Sequence, residues 1–200
     1  IQDDSVIISE QLSNKKVTAF AEDRLGHIWM ATGRGLNRFD GHKFRQYFCT
    51  DDTLGLPDNQ INVLHTAADG VLWVASVNGV ARYTPEGNFQ RVQIHSRNRN
   101  ISQIFETADG KMLFSNGTSL FMYIRENDVI SPIISEFNSF GAPHAVLTKD
   151  KKLWVISDQG FSINCYGSDF KLEHSLRNGF RAYHICDAGN GEIWLSGMGE

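Results

Sequence analysis

Val17-Thr18-Ala19-Phe20-Ala21-Glu22-Asp23-Arg24-Leu25-Gly26-His27-Ile28-Trp29-Met30-Ala31-Thr32 reads as two short strands joined by a tight turn, with a Trp on the second. Its centre, Gly26-His27-Ile28-Trp29, recurs as Gly70-Val71-Leu72-Trp73 and Gly191-Glu192-Ile193-Trp194. Two weaker copies lie between them. Gly110-Lys111-Met112-Leu113 carries Leu for Trp, and Lys151-Lys152-Leu153-Trp154 has lost the Gly. Positions 29, 73, 113, 154 and 194 are spaced by 44, 40, 41 and 40 residues. A repeat of about 40 residues that carries four short strands is the length of one blade of a β-propeller.

Each copy has the same internal order. A first strand (Val17 to Ala21, Ile61 to His65, Ile101 to Phe105, His144 to Thr148, Tyr183 to Cys186) leads into a turn. Asp69-Gly70, Asp109-Gly110 and Asn190-Gly191 supply the positive φ that two-residue hairpin turns need. A second strand carries the Trp, or its Leu substitute: Ile28 to Thr32, Leu72 to Ser76, Met112 to Ser115, Leu153 to Ser157 and Ile193 to Ser196. Gly35, Gly79 and Gly160 each follow their Trp by six residues and open a third strand from Leu36, Val80 or Phe161, as Leu120 does in the third copy. Fourth strands are visible at Phe44 to Phe48 and Phe89 to Ile94. No helical period competes, so the chain is expected to be all-β. Blades are expected at about 17–48, 61–95, 101–135 and 144–176, with an incomplete fifth at 182–200. A recurring Trp at fixed phase is expected to pack between neighbouring blades.

Composition agrees with this reading. Of 200 residues, 41% are hydrophobic and 21% charged, and 18 Gly against 4 Pro favour a turn-rich β protein. A net charge of −4 and the absence of a basic stripe argue against nucleic-acid binding. No apolar run approaches the ~20 residues of a membrane helix. Nor does the sequence open with the charged and apolar regions of a signal peptide, so none is expected; a mature, trimmed or cytosolic start would look alike. Cys49, Cys165 and Cys186 include no CxxC pair, which leaves buried thiols or a Cys165–Cys186 bridge.

The first copy, with Gly35-Leu36-Asn37-Arg38-Phe39-Asp40-Gly41 and Phe44 after it, resembles the two-component regulator propeller repeat, V-x-x-I-x-x-D-x-x-G-x-[IL]-W-[IV]-[GA]-T followed by G-L-x-R-[FY]-[DN]-G-x-x-F. Leu54-Gly55-Leu56-Pro57-Asp58-Asn59-Gln60-Ile61 is similar to the family's "GLP-x-N-x-V" lead-in, and the second copy keeps Trp73-Val74-Ala75-Ser76, Gly79-Val80 and Arg82-Tyr83. Later copies match by spacing alone. The resemblance implies a sensor: periplasmic propellers of membrane-bound hybrid histidine kinases of the Bacteroidetes type, which detect oligosaccharides, act as dimers and control genes of glycan use. It further implies seven-bladed rings, followed in the parent protein by an immunoglobulin-like domain and a membrane helix. Seven blades need roughly 280 residues, so the chain is expected to be part of such a ring, with a compact five-bladed ring as the alternative. Val6-Ile7-Ile8 is then expected to be the outer strand of a closing blade.

No catalytic constellation is legible. The seven His show no HExxH, no Gly-x-Ser-x-Gly elbow is present, and Asp51-Asp52 lacks the alternating ligands of a calcium loop. The segment is therefore read as non-catalytic, without cofactor or metal. Binding is the better expectation, on the propeller face formed by the turns between second and third strands and by the blade connections. Arg34, Asn78, Asn116, Asp158 and Gln159 lie in those turns, and Arg97 and Arg99 in the most basic connection. Planar polar groups of these types suit sugar hydroxyls or a uronate carboxylate through paired hydrogen bonds. A scaffold for protein partners, without small ligand, is the alternative.

Overall fold

The computed structural model describes residues 6–50, 54–135 and 145–199. Asp51, Asp52, His144 and Glu200, which entered the readings above, lie outside the described residues. The chain divides into two compact units, Ile1–Ile104 with Tyr123–Ser131, and Phe105–Met122 with Pro132–Glu200.

In the first unit, β1 (Val6–Ser9), β2 (Val17–Glu22), β3 (Ile28–Thr32), β4 (Gly35–Phe39) and β5 (Phe44–Tyr47) form an antiparallel sheet in the order β1-β5-β4-β3-β2. The strand at Val6–Ser9 does not serve another blade, contrary to the expected closing role. It pairs with β5, Val6 opposite Tyr47 through Ser9 opposite Phe44, and makes the first blade five-stranded. The paired β4–β5 hairpin leaves an open edge beside β5, and β1 satisfies its backbone groups. The second blade follows as β6 (Ile61–Thr66), β7 (Leu72–Ser76), β8 (Gly79–Tyr83) and β9 (Phe89–Ile94), each antiparallel to the next.

β10 (Gln103–Glu106) starts two residues later than the pattern predicts. Ile101 is fully buried and its amide donates to Ser76 O (3.2 Å), so its backbone ties the blade connection to the end of β7. β11 (Met112–Ser115) and β12 (Leu120–Ile124) form an antiparallel hairpin. β13 (Val129–Ile134) then runs parallel to β9, Val129 beside Gln93 and Ile130 beside Ile94.

In the second unit, β14 (Ala145–Leu147), β15 (Leu153–Ser157), β16 (Ser162–Tyr166) and β17 (Leu172–Arg177) form a four-stranded antiparallel sheet, and β18 (Arg181–Asp187) pairs with β19 (Ile193–Met198). Phe161, expected to open a third strand, instead closes a single 3-10 turn over Asp158–Gly160 by donating its amide to Asp158 O (3.0 Å). This unit's core gathers Leu113, Leu120, Leu153, Val155 and Tyr166. All three cysteines are free thiols; Cys165 is buried and Cys186 exposed, so neither the bridge nor a uniformly buried set is found.

The first unit shows what the repeated residues do. Trp29 is fully buried, stacked on Tyr47 of its own blade (5.5 Å between ring centres) and edge-on to Tyr83 of the next (4.8 Å). Trp73 meets Tyr123 the same way at 4.9 Å. At the equivalent phase Trp194 is 63% exposed. The arginine of the R-[FY] pair has a matching task. Arg38 Nη1 donates to Tyr83 OH (3.2 Å), and Arg82 Nη1 donates to Tyr123 OH (2.8 Å), so each arginine reaches the tyrosine one blade on. Tyr123 OH in turn donates to Asp128 Oδ1 (2.8 Å). Burial and that donation push the Tyr123 phenol above its ordinary range. Tyr123→Phe should therefore remove about 1 kcal/mol, the usual net worth of such a hydrogen bond. Arg82 would keep its 3.2 Å contact with Asp128, which limits the loss. A urea midpoint that falls at unchanged m-value is the expected reading.

Candidate functional site

In the first two blades, the second-to-third strand turn at one end of the sheet is closed by a small buried hydroxyl. Thr32 Oγ1 donates to Gly35 O (2.9 Å) and accepts from Arg34 N (3.1 Å). Ser76 Oγ does the same with Gly79 O (3.0 Å) and Asn78 N (3.2 Å). The turn is closed from inside, and residues 34 and 78 are left with exposed side chains. The blade connections pack onto the same end, because Gly35 N donates to Asn59 O (2.7 Å) and Val77 N to Gln60 O (3.2 Å).

A cleft of about 350 Å³ opens at this end of the second blade. Pro57, Val80, Val92 and Ile94 give it apolar walls, and Asn78, Gln93, Arg91 and Arg99 give it polar ones. Gly79 lies between these groups at φ +143°, and a Cβ there would stand 3.2 Å from Pro57 Cβ. Glycine thus allows the Leu56-Pro57 connection to lie close against the start of β8. Arg91 fixes that connection, donating through Nη2 to Thr50 O and Leu56 O, both at 2.8 Å. Asn78, Gln93, Arg97, Arg99 and Arg34 have no side-chain hydrogen bond or ion pair among the described residues. The lining is shared about equally between apolar and polar groups, and a cleft with several unengaged polar side chains beside an apolar wall can orient a small polar ligand.

Two of the sequence-derived candidates, Asn78 and Arg99, line this cleft together. Arg34 is exposed on the corresponding turn of the first blade, and Arg97 is exposed in the β9–β10 connection; neither is among the lining residues. In the second unit, Asn116 is turned inward on its own loop, with Oδ1 accepting from Thr118 N (3.2 Å) and Ser119 N (3.0 Å). Asp158 and Gln159 are exposed and both left-handed, at φ 49° and 57°. Gln159 O is held by Arg181 Nε at 2.8 Å. Arg91 and Gln93 carry no signal in the sequence. They sit on an outer strand with ordinary alternation, and only the approach of residues 54–57 and 99 makes them part of a wall.

A second constellation lies at the opposite turn. Asp23 Oδ1 accepts from Leu25 N (2.9 Å) and His27 N (3.0 Å), while Oδ2 accepts from Trp29 Nε1 (2.9 Å) and lies 3.0 Å from His27 Nδ1. Burial acts to raise the Asp23 carboxyl, but the hydrogen bonds from Trp29, His27 and Leu25 together hold it below its ordinary value. Thr107 and Thr148 repeat part of this role, each accepting the amide four residues on (2.9 and 3.3 Å). The arrangement is structural: it closes the turn and anchors the indole. Among the described residues, no group of three or more His, Cys, Asp or Glu is placed to hold a metal.

Comparison with known proteins agrees with the propeller fold. The virginiamycin B lyase of Staphylococcus aureus superposes with a TM-score of 0.71 at 14% identity, over 95% of this chain and 66% of that one. An extracellular domain from B. thetaiotaomicron, assigned to a hybrid two component system, superposes with a TM-score of 0.75 at 20% identity, over 94% of this chain. A second such domain gives 0.68 at 22% identity over 93% of it. The chain thus spans about two thirds of the lyase's length but only 29% and 27% of the two extracellular domains. No curated protein matches the sequence. The family comparison matches the segments 11–34 and 55–78, which contain β2–β3 and β6–β7 with their turns and Trp residues. These two segments, within the first two blades of the β-propeller, match the two component regulator propeller repeat.

Proposed function

We propose that the chain is a ligand-sensing, extracytoplasmic part of a two-component receptor, and that its ligand is an oligosaccharide. The observation that carries this reading is the pair of two-component regulator propeller repeats at 11–34 and 55–78. The fold likeness to extracellular domains assigned to hybrid two component systems supports it. So does the cleft beside Asn78, whose amides and guanidinium are free to meet hydroxyl groups. In this reading ligand occupancy biases a dimeric, membrane-bound receptor, and a histidine kinase elsewhere in that receptor passes the signal to genes of glycan use.

Thermal unfolding in the presence of a panel of plant and host oligosaccharides tests it. A ligand held at 100 times its Kd adds about 2.7 kcal/mol, which for a chain of this size raises Tm by about 5–10 °C. A panel in which no glycan raises Tm overturns the sensor reading in favour of a scaffold for protein partners. Release of cleaved or isomerised sugar in the same mixtures would overturn it in favour of an enzyme, a class to which the superposed virginiamycin B lyase belongs with its own, different substrate.

A further inference from the structure

We infer that the cleft at Asn78 recognises a carboxylate on a small sugar acid, with Arg99 as its counter-charge. This rests on the sensing reading and names the class of ligand. Of the described residues that line the cleft, two are arginines and none is acidic. Among the described residues, no carboxylate in the lining offsets their positive charge.

The two arginines are in different states. Arg91 has spent Nη2 on Thr50 O and Leu56 O and its Nε on Gly55 O (3.3 Å), so it is held in place by backbone carbonyls. Its charge nonetheless remains, because carbonyl acceptors orient a guanidinium without neutralising it. Arg99 is exposed, makes no ion pair among the described residues, and keeps its full donor fork for an incoming anion. A planar fork matches a carboxylate with two parallel hydrogen bonds, which are about twice as strong as neutral ones. Asn78 and Gln93 add donors and acceptors of the kind that ring hydroxyls satisfy, and Pro57 with Val80 offers an apolar surface for the C–H face of a sugar. At about 350 Å³ the cleft is at the small end of ligand sites, which suits a mono- or disaccharide end and not a long chain.

Calorimetric titration of the chain with two matched probes decides the matter: cellobiose, which is neutral, and cellobiouronic acid, which differs by one carboxylate. The acid is expected to bind at least about tenfold more tightly, and added salt should weaken it as it screens an exposed charge pair. Arg99→Ala should remove the preference for the acid, and Arg99→Lys should restore only part of it because an ammonium lacks the fork. Lys43→Ala, in the β4–β5 hairpin, should leave both titrations unchanged. Equal affinity for the two probes, or an Arg99→Ala protein that still prefers the acid, overturns the proposal. So does binding of other, neutral oligosaccharides by a chain that ignores both probes, a result that leaves the sensing reading intact. Circular dichroism of each variant separates lost binding from lost folding.

Discussion

Trp29→Ala is expected to lower the unfolding free energy by about 3–5 kcal/mol, the range for truncating a fully buried large aromatic residue. Trp29 has no exposed surface and touches aromatic rings on three strands: Tyr47 at 5.5 Å, Tyr83 at 4.8 Å and Phe89 at 6.0 Å. The Arg38 guanidinium lies 5.7 Å from its ring centre, which adds a cation–π contribution of about 0.5–1 kcal/mol or more on partial desolvation. Truncation would open a cavity where the first blade meets the second, and the β-sheets on either side can close it only by shifting whole strands. Trp194→Ala serves as the contrast. Its side chain is 63% exposed, so its loss should cost within about 0.5 kcal/mol. Urea unfolding followed by far-UV circular dichroism reads both variants without relying on Trp emission. A Trp29→Ala penalty below about 1.5 kcal/mol would mean that burial at this position does not carry the joint between the blades.

Asp23→Ala should cost about 2 kcal/mol, because it strands the indole N–H of a buried Trp and the amides of a tight turn. Leu25 N and His27 N can turn to water, whereas Trp29 Nε1 sits beside a ring with no exposed surface. The variant also makes a pH prediction. In the folded chain the Asp23 carboxyl is held below its ordinary value of 3.8, so its contribution is complete above that value. The contribution fades as pH falls through the folded-state value, where the unfolded chain is already protonated. Wild type should thus lose stability in acid faster than Asp23→Ala, and the gap between the two should narrow toward pH 3. A gap that stays constant from neutral pH into acid would show that the carboxylate charge plays no part. Asp23→Asn keeps one acceptor oxygen and is expected to fall between them.

The features legible in the sequence are those fixed by neighbours along the chain. Ile28–Thr32 and Leu72–Ser76 are strands with the bounds that the Gly-bearing turns on either side imply, and Leu153–Ser157, which has a Gly only in the turn after it, is set by its apolar run. What pairs with what across the chain was not legible. Val6–Ser9 has the composition of a strand, but nothing in Val-Ile-Ile-Ser specifies that its partner is β5. The parallel run of β13 beside β9 likewise depends on strands far apart in sequence. Ile101 reads as strand by hydrophobicity, yet its amide is taken by Ser76 O. The candidate site divides in the same way. Turn chemistry marks Asn78, and the basic cluster marks Arg99, but Arg91 and Gln93 join them only through the fold of residues 54–57 against Gly79.

The one-way reach of arginine to tyrosine bears on how such an array can grow. Arg38 ends on Tyr83 and Arg82 on Tyr123, so the hydroxyl that each arginine needs is encoded about one repeat downstream. A tandem copy of the second blade, inserted after itself, would set Arg82 against a new Tyr83 and keep the link. A tandem copy of the first would set Arg38 against Phe39, which has no hydroxyl to offer. Lengthening this protein by gene duplication is therefore easy from one blade and obstructed from its neighbour, although the two share a sheet architecture.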